Sequence, residues 1–506
     1  MLITLILDAS RLWHWHLTLI DQLAAYPGAR VAVAFAPERR PHRQALALAL
    51  QLEQAISHRA AAHPFDPINP GDLRAWTGPA GDAGDVTIDL AACAVASAQP
   101  QRSLVPLFDG LPGESAFWSA LLDGTAPHLA VFDSARGITA IGQPGIESPH
   151  ALRKSAAAVA TRLITGLVRA IKTPAHASER ANQPAMEPRS PSLAAPAAHL
   201  LARKVANKAQ RLIDRTLATA PQWAVAWRAL PSNHDLLSAG ELDPASFRHL
   251  SDDGARYYAD PFLFAHGPQT HLFVEELPYA TNRGIISVST LQADGSFSTP
   301  QPVLETPFHL SYPHVFARDG AIWMLPEQTA SGGLTLYRAI RYPDRWEPVA
   351  QLIGEPLHDA TLFEHGGLLW IAANTEGPAC ARWGSSWDAL SLYSSKTLLG
   401  PWTPHPGNPL LIDAEQTRSA GEVFGVGAKR YRPVQDCSSG YGVALGIAEI
   451  TALDRETFAQ SIVSRLSFKP RSGIAGPHTL NRLQSGANLI ETIDLFAPSK
   501  TIRAIR

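Results

Sequence analysis

Four polar residues begin the copies of a repeat in the C-terminal half of the chain, and their types suit acid–base chemistry. They are Asp260, His314, Asp359 and Glu422. Glycosidic-bond chemistry uses separated carboxyl groups around one pocket, one ionised as base or nucleophile and one protonated as acid. Alternatively, each residue caps a strand or ties neighbouring elements together through backbone hydrogen bonds. We predict a carbohydrate site, with structural capping as the competing interpretation.

The repeat itself predicts β-hairpins. Its marker residues are Phe264, Phe316, Phe363 and Phe424, spaced 52, 47 and 61 residues apart. Glycine-containing turns such as Arg318-Asp319-Gly320 join the two strands of a copy. Four copies predict four blades of an all-β propeller, and strands near 223–230 and 480–493 predict a fifth blade that closes the ring. Because the innermost strands of a propeller converge on one mouth, we expect the four polar residues to face one another.

The chain divides into further regions. Short apolar runs alternate with helical stretches over residues 1–172, which predicts an α/β open-sheet domain. Residues 173–220 read as a Pro/Ala/Ser-rich linker followed by a basic amphipathic helix at about 198–217. This helix would either pack on a domain as a connector or lie on an anionic membrane surface. The propeller is predicted over 221–493 and a C-terminal tail over 494–506.

Composition excludes several functional classes. The chain has 506 residues and 43 Lys+Arg against 45 Asp+Glu, so no basic excess favours a nucleic-acid partner. Its cysteines, Cys93, Cys380 and Cys437, supply neither a disulfide framework nor a metal-binding spacing, which favours a reducing cytosol. We see no leader or membrane-spanning pattern and expect a cytoplasmic location, or one peripheral to the inner membrane. No nucleotide-binding or nucleophile-elbow motif occurs, so we expect no cofactor and no metal.

The segment Tyr258-Ala259-Asp260-Pro261-Phe262 is one of the features that resemble a known protein family. With the repeated hairpins and the segment 399–409, it resembles the five-bladed propellers of family 43 glycoside hydrolases and related arabinanases, β-xylosidases and invertases. The resemblance implies that Asp260 is the base, that Asp359 orients substrate and tunes its partner's pKa, and that Glu422 is the general acid. Glu276 and Glu327 are the alternative acids.

A closer resemblance covers nearly the whole predicted propeller. It is to the propeller at the N-terminal side of plant glucosamine inositolphosphorylceramide transferases and to bacterial proteins of the same group. The motifs that carry it are Ser311-Tyr312-Pro313, Leu325-Pro326-Glu327, Asp359-Ala360-Thr361-Leu362-Phe363, Tyr431-Arg432-Pro433, Gln435-Asp436-Cys437-Ser438 and Gly476-Pro477-His478-Thr479. In the plant proteins, glycosyl transfer is attributed to a separate domain outside this sequence, so binding, hydrolysis and transfer all stay open.

A second polar set predicts substrate contacts. It comprises Arg418, Arg432, Gln435, Asp436 and His478, to which Glu276, Tyr312 and His314 are added as substrate-binding candidates. An arginine fork fits a phosphate or carboxylate, which favours an anionic glycan or a sugar nucleotide. The alternative is an ion-pair network between blades that joins Arg432 to Asp436.

The N-terminal domain resembles the fold of methionyl-tRNA and sugar-amine formyltransferases. Those enzymes use an Asn-His-Asp set, whereas this chain reads Ile141-Gly142-Gln143-Pro144 where the histidine segment is expected. We do not expect formyl transfer. Asp8 and Asp89 would lie at strand ends where open sheets bind ligands, or the domain is a scaffold without a ligand. The whole sequence therefore predicts a glycosyl-transferring enzyme of bacterial surface-glycan or glycolipid synthesis, with a glycoside hydrolase or a non-catalytic glycan-binding module as alternatives.

Overall fold

The computed structural model falls into two compact units. One unit consists of Met1–Arg211 with Glu376–Ser385, and the other of Leu212–Thr375 with Ser386–Arg506. The described residues are 1–36, 46, 50–51, 53–54, 63–77, 84–92, 102–172, 222–237, 240–377, 383–468, 474–485 and 488–497. The predicted linker and amphipathic helix of 173–220, and most of a helix predicted over 42–57, lie outside these residues.

The first unit is an open, mixed sheet with helices. Its elements are β1 (Leu2–Asp8), α1 (His14–Ala24), β2 (Arg30–Ala36), β3 (Val86–Asp89), β4 (Arg102–Phe108), β5 (Leu111–Pro112), α2 (Glu114–Asp123), β6 (Leu129–Asp133), β7 (Gly137–Gln143) and α3 (Leu152–Lys172). The strand order is β7-β6-β4-β3-β1-β2. Strands β1 to β4 pair in parallel, whereas β6 and β7 pair antiparallel. The likeness to formyltransferases stays a prediction.

Helix α3 supplies much of the core of the first unit. Its Ala156, Val159, Leu163 and Leu167 are almost completely buried among the apolar side chains of the sheet. Arg162 is buried on the same helix and donates from Nη2 to the Ser385 carbonyl at 2.7 Å. Within the described ranges, no helix is long and apolar enough to span a bilayer.

The second unit is an all-β, propeller-like arrangement. Its described strands form five sheets, which we number I to V. Sheet I has β11 (Arg256–His266), β12 (Gln269–Pro278), β13 (Ile285–Thr290) and β14 (Gln301–Leu304); sheet II has β15 (Ser311–Arg318), β16 (Ala321–Glu327), β17 (Leu334–Arg341) and β18 (Arg345–Ile353). Sheet III has β19 (His358–His365), β20 (Leu368–Asn374), β21 (Ala389–Ser395), β22 (Thr403–Pro404) and β23 (Leu411–Asp413). Sheet IV has β9 (Glu241–Leu242), β24 (Phe424–Val426), β25 (Lys429–Asp436), β26 (Ala444–Leu453) and β27 (Phe458–Phe468); sheet V has β8 (Gln222–Pro231), β10 (Arg248–His249), β28 (Leu480–Ser485) and β29 (Asn488–Ala497).

Each sheet begins with the same hairpin. The last residue of the first strand pairs with the first residue of the second across a two-residue loop, as in Arg318 with Ala321 and His365 with Leu368. The loops Asp319-Gly320 and Gly366-Gly367 have positive φ at both positions, as the twist-matched hairpin turn requires. The same pairing recurs in sheets I, IV and V. Equivalent positions can therefore be counted from the turn.

A bulge interrupts the first strand of sheets I, II and III. The residues at the bulge are Asp260, Tyr312 and Asp359, with φ values of +49°, +46° and +47°. Non-glycine residues rarely adopt this conformation, and a bulge re-aims side chains near a site. The sequence alignment that placed His314 opposite Asp260 and Asp359 was therefore wrong by two residues, because the equivalent position holds Tyr312.

The two ends of the second unit meet in sheet V. Strand β8 pairs antiparallel with β29 from Gln222 with Ala497 to Pro231 with Asn488. Strand β29 continues through Asp494, whose side chain is fully buried. The boundary predicted between residues 493 and 494 therefore falls inside a strand, and Asp494 is not part of a tail.

Candidate functional site

Two sets of equivalent positions approach one another at the bulged ends of the hairpins. Counted six residues back from the turn, the first strands contribute Asp260, Tyr312, Asp359, Ala420 and Thr479. Counted six residues on from the turn, the second strands contribute Glu275, Glu327, Asn374, Gln435 and Asp494. We call Asp260, Glu327, Asp359 and Asp494 the acidic cluster. The repeat thus places at least one polar side chain at the same distance from the hairpin turn in every sheet.

Asp260 is bound on both carboxylate oxygens. Thr479 Oγ1 donates to Oδ1 at 2.8 Å, and His478 Nε2 lies 3.2 Å from the same atom. The backbone N–H of Tyr312 donates to Oδ2 at 3.1 Å. These contacts come from sheets II and V, so the bulge of sheet I is held by its neighbours on either side.

Asp494 completes this half of the cluster. Its Oδ1 accepts the backbone N–H groups of His478 at 3.0 Å and Thr479 at 2.9 Å. Its Oδ2 accepts the backbone N–H of Asp260 at 3.1 Å and lies 2.6 Å from His478 Nδ1. Sequence reasoning missed Asp494, although counting from the last hairpin turn would have found it.

Asp359 is held by a second set of donors. Arg418 Nε donates to Oδ2 at 2.6 Å and Gln435 Nε2 donates to the same oxygen at 2.8 Å. The backbone N–H of Asp359 donates to Glu327 Oε2 at 2.9 Å. The carboxyl group of Asp359 also shares a hydrogen bond with the carboxyl group of Glu327. The structure thus brings Asp359 together with Glu327, an alternative acid of the prediction, and with Arg418 and Gln435 of the predicted second polar set.

Arg418 bridges two carboxyl groups. Its Nη2 lies 3.7 Å from Glu327 Oε2, while Nε binds Asp359, and the guanidinium carbon is 5.2 Å from the centre of the Tyr441 ring. Glu327 Oε1 also lies 3.3 Å from His358 Nδ1. Burial alone would raise the pKa of Glu327, but the charges of His358 and Arg418 outweigh burial and lower it. Glu327 is therefore ionised.

Asp260 and Asp359 are driven to opposite protonation states. Burial acts to raise the pKa of Asp260, but the hydrogen bond and positive charge of His478 bring it below its usual value. Burial raises the pKa of Asp359 well above its usual value; Arg418 opposes the rise, whereas the charges of Glu327 and Asp260 add to it. Two carboxyl groups with separated pKa values are the arrangement from which acid and base roles arise.

Aromatic rings surround His478 beside the cluster. The Trp223 ring centre is 4.0 Å from that of His478, and Tyr441 lies 5.3 Å from the same imidazole. Trp387 packs on Tyr441 at 5.6 Å, and Tyr441 is 37% exposed. The imidazole of His478 therefore lies among aromatic rings, one of which, Tyr441, is exposed to solvent.

The structure corrects the choice between two adjacent glutamates. Glu276 is tied down by Arg256 and by Ser287, whose hydroxyl donates to Oε2 at 2.6 Å. Glu275 points to the opposite side of β12 and lies 3.2 Å from His309 Nε2. Burial raises the pKa of Glu275, and the nearby charge of Asp260 adds to the rise. Strand alternation therefore puts Glu275, and not the predicted Glu276, beside Asp260.

Glu422 and His314 line a different space. They border a cavity of about 490 Å³ at the hairpin-turn ends of β15 and β19, together with Arg318 and Arg430. In the fourth repeat, the pairing is broken between Ser419 and Phe424, and Ala420 holds the position equivalent to Asp260 when residues are counted from the turn. Neither predicted residue therefore joins the acidic cluster.

The environment of this cavity changes both side chains. Burial lowers the pKa of His314 to about 4, so its ring is neutral, and Nδ1 accepts the backbone N–H of Leu362 at 3.2 Å. Surrounding protein raises the pKa of Glu422 to about 7, although water still reaches its side chain inside the cavity. Glu422 has an acid's pKa without contact to the predicted base.

A glutamine at position 422 tests this placement. Because Glu422 lies outside the acidic cluster, Glu422→Gln is expected to leave ligand affinity and turnover at the cluster within about twofold of the unchanged protein. The measurement is a side-by-side assay of the variant and the parent, with Asp319→Asn as a surface control. A loss of turnover of a hundredfold, as expected for a general acid, would restore the original assignment.

Arg432 and Asp436 do not form the predicted ion pair. Arg432 is buried and donates to the Thr417 carbonyl and, at 3.1 Å, to Gln460 Oε1, and burial lowers its pKa to about 10. Asp436 instead lies 3.3 Å from Arg465. Neither side chain bonds to the acidic cluster. Of the predicted substrate-binding residues, Arg418 and Gln435 contact Asp359, whereas His478 and the backbone N–H of Tyr312 contact Asp260.

Tyr312 acts through its hydroxyl as a link between sheets. The backbone N–H of Gly421 donates to the Tyr312 oxygen at 2.8 Å, and Thr361 Oγ1 lies 2.8 Å from it. Tyr312 is completely buried. Its role is therefore to fix the positions of sheets II, III and IV beside the cluster.

One group of side chains has the spacing of metal ligands within the described ranges. The ligand atoms of Asp260, His478 and Asp494 all lie within 4.8 Å of one another. However, burial lowers the pKa of His478 less than the charges of Asp494 and Asp260 raise it, to about 10. In that doubly protonated state the imidazole has no lone pair for a metal, so a metal ion would have to displace the ring proton that the two carboxylates stabilise.

A protein-family model matches part of the second unit. The model is described as glucosamine inositolphosphorylceramide transferase 1, N-terminal, and it matches residues 244–476. The Arabidopsis thaliana protein of that name is 31% identical over 209 residues, which cover 41% of this chain and 27% of the relative. The protein from Oryza sativa subsp. japonica is 33% identical over 210 residues, covering 41% and 28%. This chain thus spans little more than a quarter of the length of these relatives.

Solved structures show weaker likenesses. A family 117 glycoside hydrolase from Zobellia galactanivorans has a TM-score of 0.35 at 10% identity, covering 54% of this chain and 90% of its own. The catalytic domain of a Coprinopsis cinerea GH62 α-L-arabinofuranosidase has a TM-score of 0.35 at 11% identity, covering 55% and 98%. These scores are too low to carry an argument. The sequence match is the firmer finding: residues 244–476 are similar to the N-terminal part of glucosamine inositolphosphorylceramide transferases.

Proposed function

We propose that the second unit is a five-bladed propeller that handles carbohydrate and transfers a glycosyl group at the acidic cluster. The observation that carries the proposal is the opposite displacement of the pKa values of Asp260 and Asp359 from matching bulges of two sheets. Five sheets opening with one hairpin support the blade number. A cytoplasmic or peripheral role in bacterial surface-glycan or glycolipid synthesis remains part of the proposal.

The chemistry assigns a role to each carboxyl group. Asp260, ionised and oriented by Thr479 and His478, accepts a proton from the attacking hydroxyl. Asp359, whose pKa burial raises well above its usual value, shares its proton with the carboxyl group of Glu327 and can pass it to the leaving oxygen. Arg418 and Gln435 hold Oδ2 of Asp359 and so fix the direction of that donor. The two proton transfers, to Asp260 and from Asp359, require only these side chains and the substrate.

Ligand chemistry follows from the surroundings. Trp223, Tyr441 and Trp387 present aromatic faces next to polar groups, which is the combination that binds the two faces of a sugar ring. Arg418 suits a phosphate or carboxylate near the sugar. The plant relatives carry the name glucosamine inositolphosphorylceramide transferase 1, which supports a carbohydrate or sugar-containing ligand.

A second candidate is a glycan-binding module without catalysis. It is favoured by the hydrogen bonds that already occupy both carboxylate oxygens of Asp260. A carboxylate whose two oxygens already accept hydrogen bonds from the protein can hold the surrounding strands in place without taking part in catalysis. The two candidates differ in whether a bond in the sugar is broken.

The test is a product assay with the full chain. We expect nucleotide sugars or lipid-linked sugars to be consumed only when an acceptor glycan or glycolipid is present, and aryl glycosides to be released far more slowly. Asp359→Asn is expected to lower donor consumption by at least about tenfold, because an amide has no acidic proton to give. Asp319→Asn is the matched control, since Asp319 also has a positive φ of +50° but lies exposed in a turn. If the protein binds glycans but consumes no donor and no glycoside, glycosyl transfer is ruled out and the glycan-binding module is supported.

A further inference from the structure

His478 stands between two buried carboxylates. Its Nδ1 is 2.6 Å from Asp494 Oδ2 and its Nε2 is 3.2 Å from Asp260 Oδ1. Nδ1 makes no aligned hydrogen bond to Asp494, so the contact is one of charge: a neutral ring would leave two buried carboxylates without a cation, whereas an imidazolium offsets both negative charges. All three side chains are less than a tenth exposed, so water cannot stabilise unpaired charge here.

Asp494 fixes more than the ring. Its Oδ1 receives the backbone N–H groups of His478 and Thr479, and its Oδ2 receives the backbone N–H of Asp260. One carboxylate therefore ties the first strand of sheet I to the segment that carries both donors of Asp260. Since Thr479 Oγ1 and His478 Nε2 both reach Asp260 Oδ1, the position of Asp494 controls the two side-chain contacts of the base.

We propose that Asp494 is a positioning residue that holds His478 as an imidazolium, and that His478 in turn orients Asp260 and keeps it ionised. The inference rests on the proposed function, in which Asp260 is the base. The inference assigns a role to Asp494 and His478, which do not touch the substrate and act only through Asp260. The position of Asp494 is the fifth member of the second-strand set that includes Glu275, Glu327 and Gln435.

The other groups near His478 and Asp260 do not replace this charge. Tyr441 and Trp223 contact the imidazole through their rings. The nearby carboxyl groups of Glu275, Glu327 and Asp359 are negative when ionised and would raise the pKa of Asp260. Tyr257 and Tyr312 are neutral phenols with raised pKa values. Within the described part of the chain, His478 is the cationic side chain in contact with Asp260.

The sign of the pH dependence follows from these contacts. Asp494 and Asp260 raise the pKa of His478 to about 10 despite burial, so the imidazolium is present at neutral pH and is lost as pH rises through about 10. Asp260 has a lowered pKa, so its charge is lost only when pH falls well into the acid range. Removing the charge of Asp494 should lower the pKa of His478 and raise the pKa of Asp260.

The direct test is nuclear magnetic resonance of the full chain labelled with ¹⁵N-histidine. His478→Gln assigns the His478 signals. In the parent protein, both ring nitrogens of His478 are expected to stay protonated from pH 6 to pH 8. In Asp494→Asn, the pKa of His478 is expected to fall by more than about one unit, a more than tenfold loss of proton affinity. Glu491→Gln is the matched control, because Glu491 is also buried on β29 but pairs with Arg228 and Arg482.

A second readout is the pH profile of glycosyl turnover. The acid limb for Asp494→Asn is expected to move upward by about one unit, because Asp260 then needs a higher pH to ionise. A neutral His478 in the parent at pH 7, or an unchanged titration in a folded Asp494→Asn, overturns the inference. If Asp494→Asn does not fold, the parent titration alone decides. If the titrations behave as expected while no variant turns over any sugar, the proposed function fails and the role of Asp494 in setting the charge of Asp260 stands.

Discussion

Asparagine in place of Asp260 is expected to lower the rate of glycosyl transfer by about 10²- to 10⁴-fold, with sugar affinity changed by less than about tenfold. The amide has nearly the same shape but cannot accept a proton, so the step that needs a base is lost while the pocket is kept. The measurement is turnover at saturating substrate beside a direct binding titration of the same glycan.

The control for Asp260→Asn is again Asp319→Asn. Asp319 has a φ of +50°, close to the +49° of Asp260, so an asparagine is tested in the same backbone conformation at both positions. Asparagine tolerates this conformation well, which limits the effect on folding. If binding and turnover decline together by the same factor, Asp260 contributes affinity only and the glycan-binding module is supported.

Methionine in place of Arg418 is expected to lower the free energy of unfolding by about 3–5 kcal/mol. Arg418 is buried and shared by Asp359 and Glu327, so its removal leaves two carboxyl groups next to each other without their common cation. Protonation of Glu327, whose pKa is no longer lowered by the arginine, relieves part of this loss, which makes the loss smaller at pH 5 than at pH 8. Chemical denaturation of the full chain, followed by tryptophan fluorescence, measures the change.

Two further variants bracket the Arg418 result. Glu327→Gln in the Arg418→Met background is expected to recover part of the lost stability, because the buried negative charge that lost its arginine is gone. Arg341→Met is the surface control: Arg341 pairs with Asp344 in an exposed turn, where an ion pair contributes about 1 kcal/mol or less. An Arg418→Met loss no larger than that of Arg341→Met would mean that the two carboxyl groups do not depend on the arginine.

Local patterns predicted the hairpins well. The marker Phe264, Phe316 and Phe363 fall on first strands, each paired with the second strand of the same hairpin. Asp319-Gly320 and Gly366-Gly367 form the turns that their composition predicts. Turn chemistry and apolar alternation are local properties, so they can be read without knowing what packs against them.

Position relative to the hairpin turn explains the errors in choosing site residues. The sequence placed His314 and Glu422 in line with Asp260, but these two residues lie two positions before the marker phenylalanine of their repeats, whereas Asp260 lies four positions before Phe264. Glu276 was predicted as an alternative acid, but Glu275 is the glutamate of β12 that lies on the side of Asp260. The break in pairing before Phe424 has no sequence signal that we can identify, because Ser419 to Val423 contains no repeat of the Asp-Pro or Tyr-Pro pair.

By itself, the sequence determined that a repeated hairpin presents carboxyl groups at regular spacing, because side-chain alternation and turn residues act over a few positions. Only the tertiary structure decided which carboxyl groups meet. Asp494 joins Asp260 because the last strand of the unit pairs with its first strand, and no local pattern records that pairing. The protonation states of Asp260 and Asp359 were decided there as well, since they depend on burial and on His478 and Arg418, which are far away in the chain.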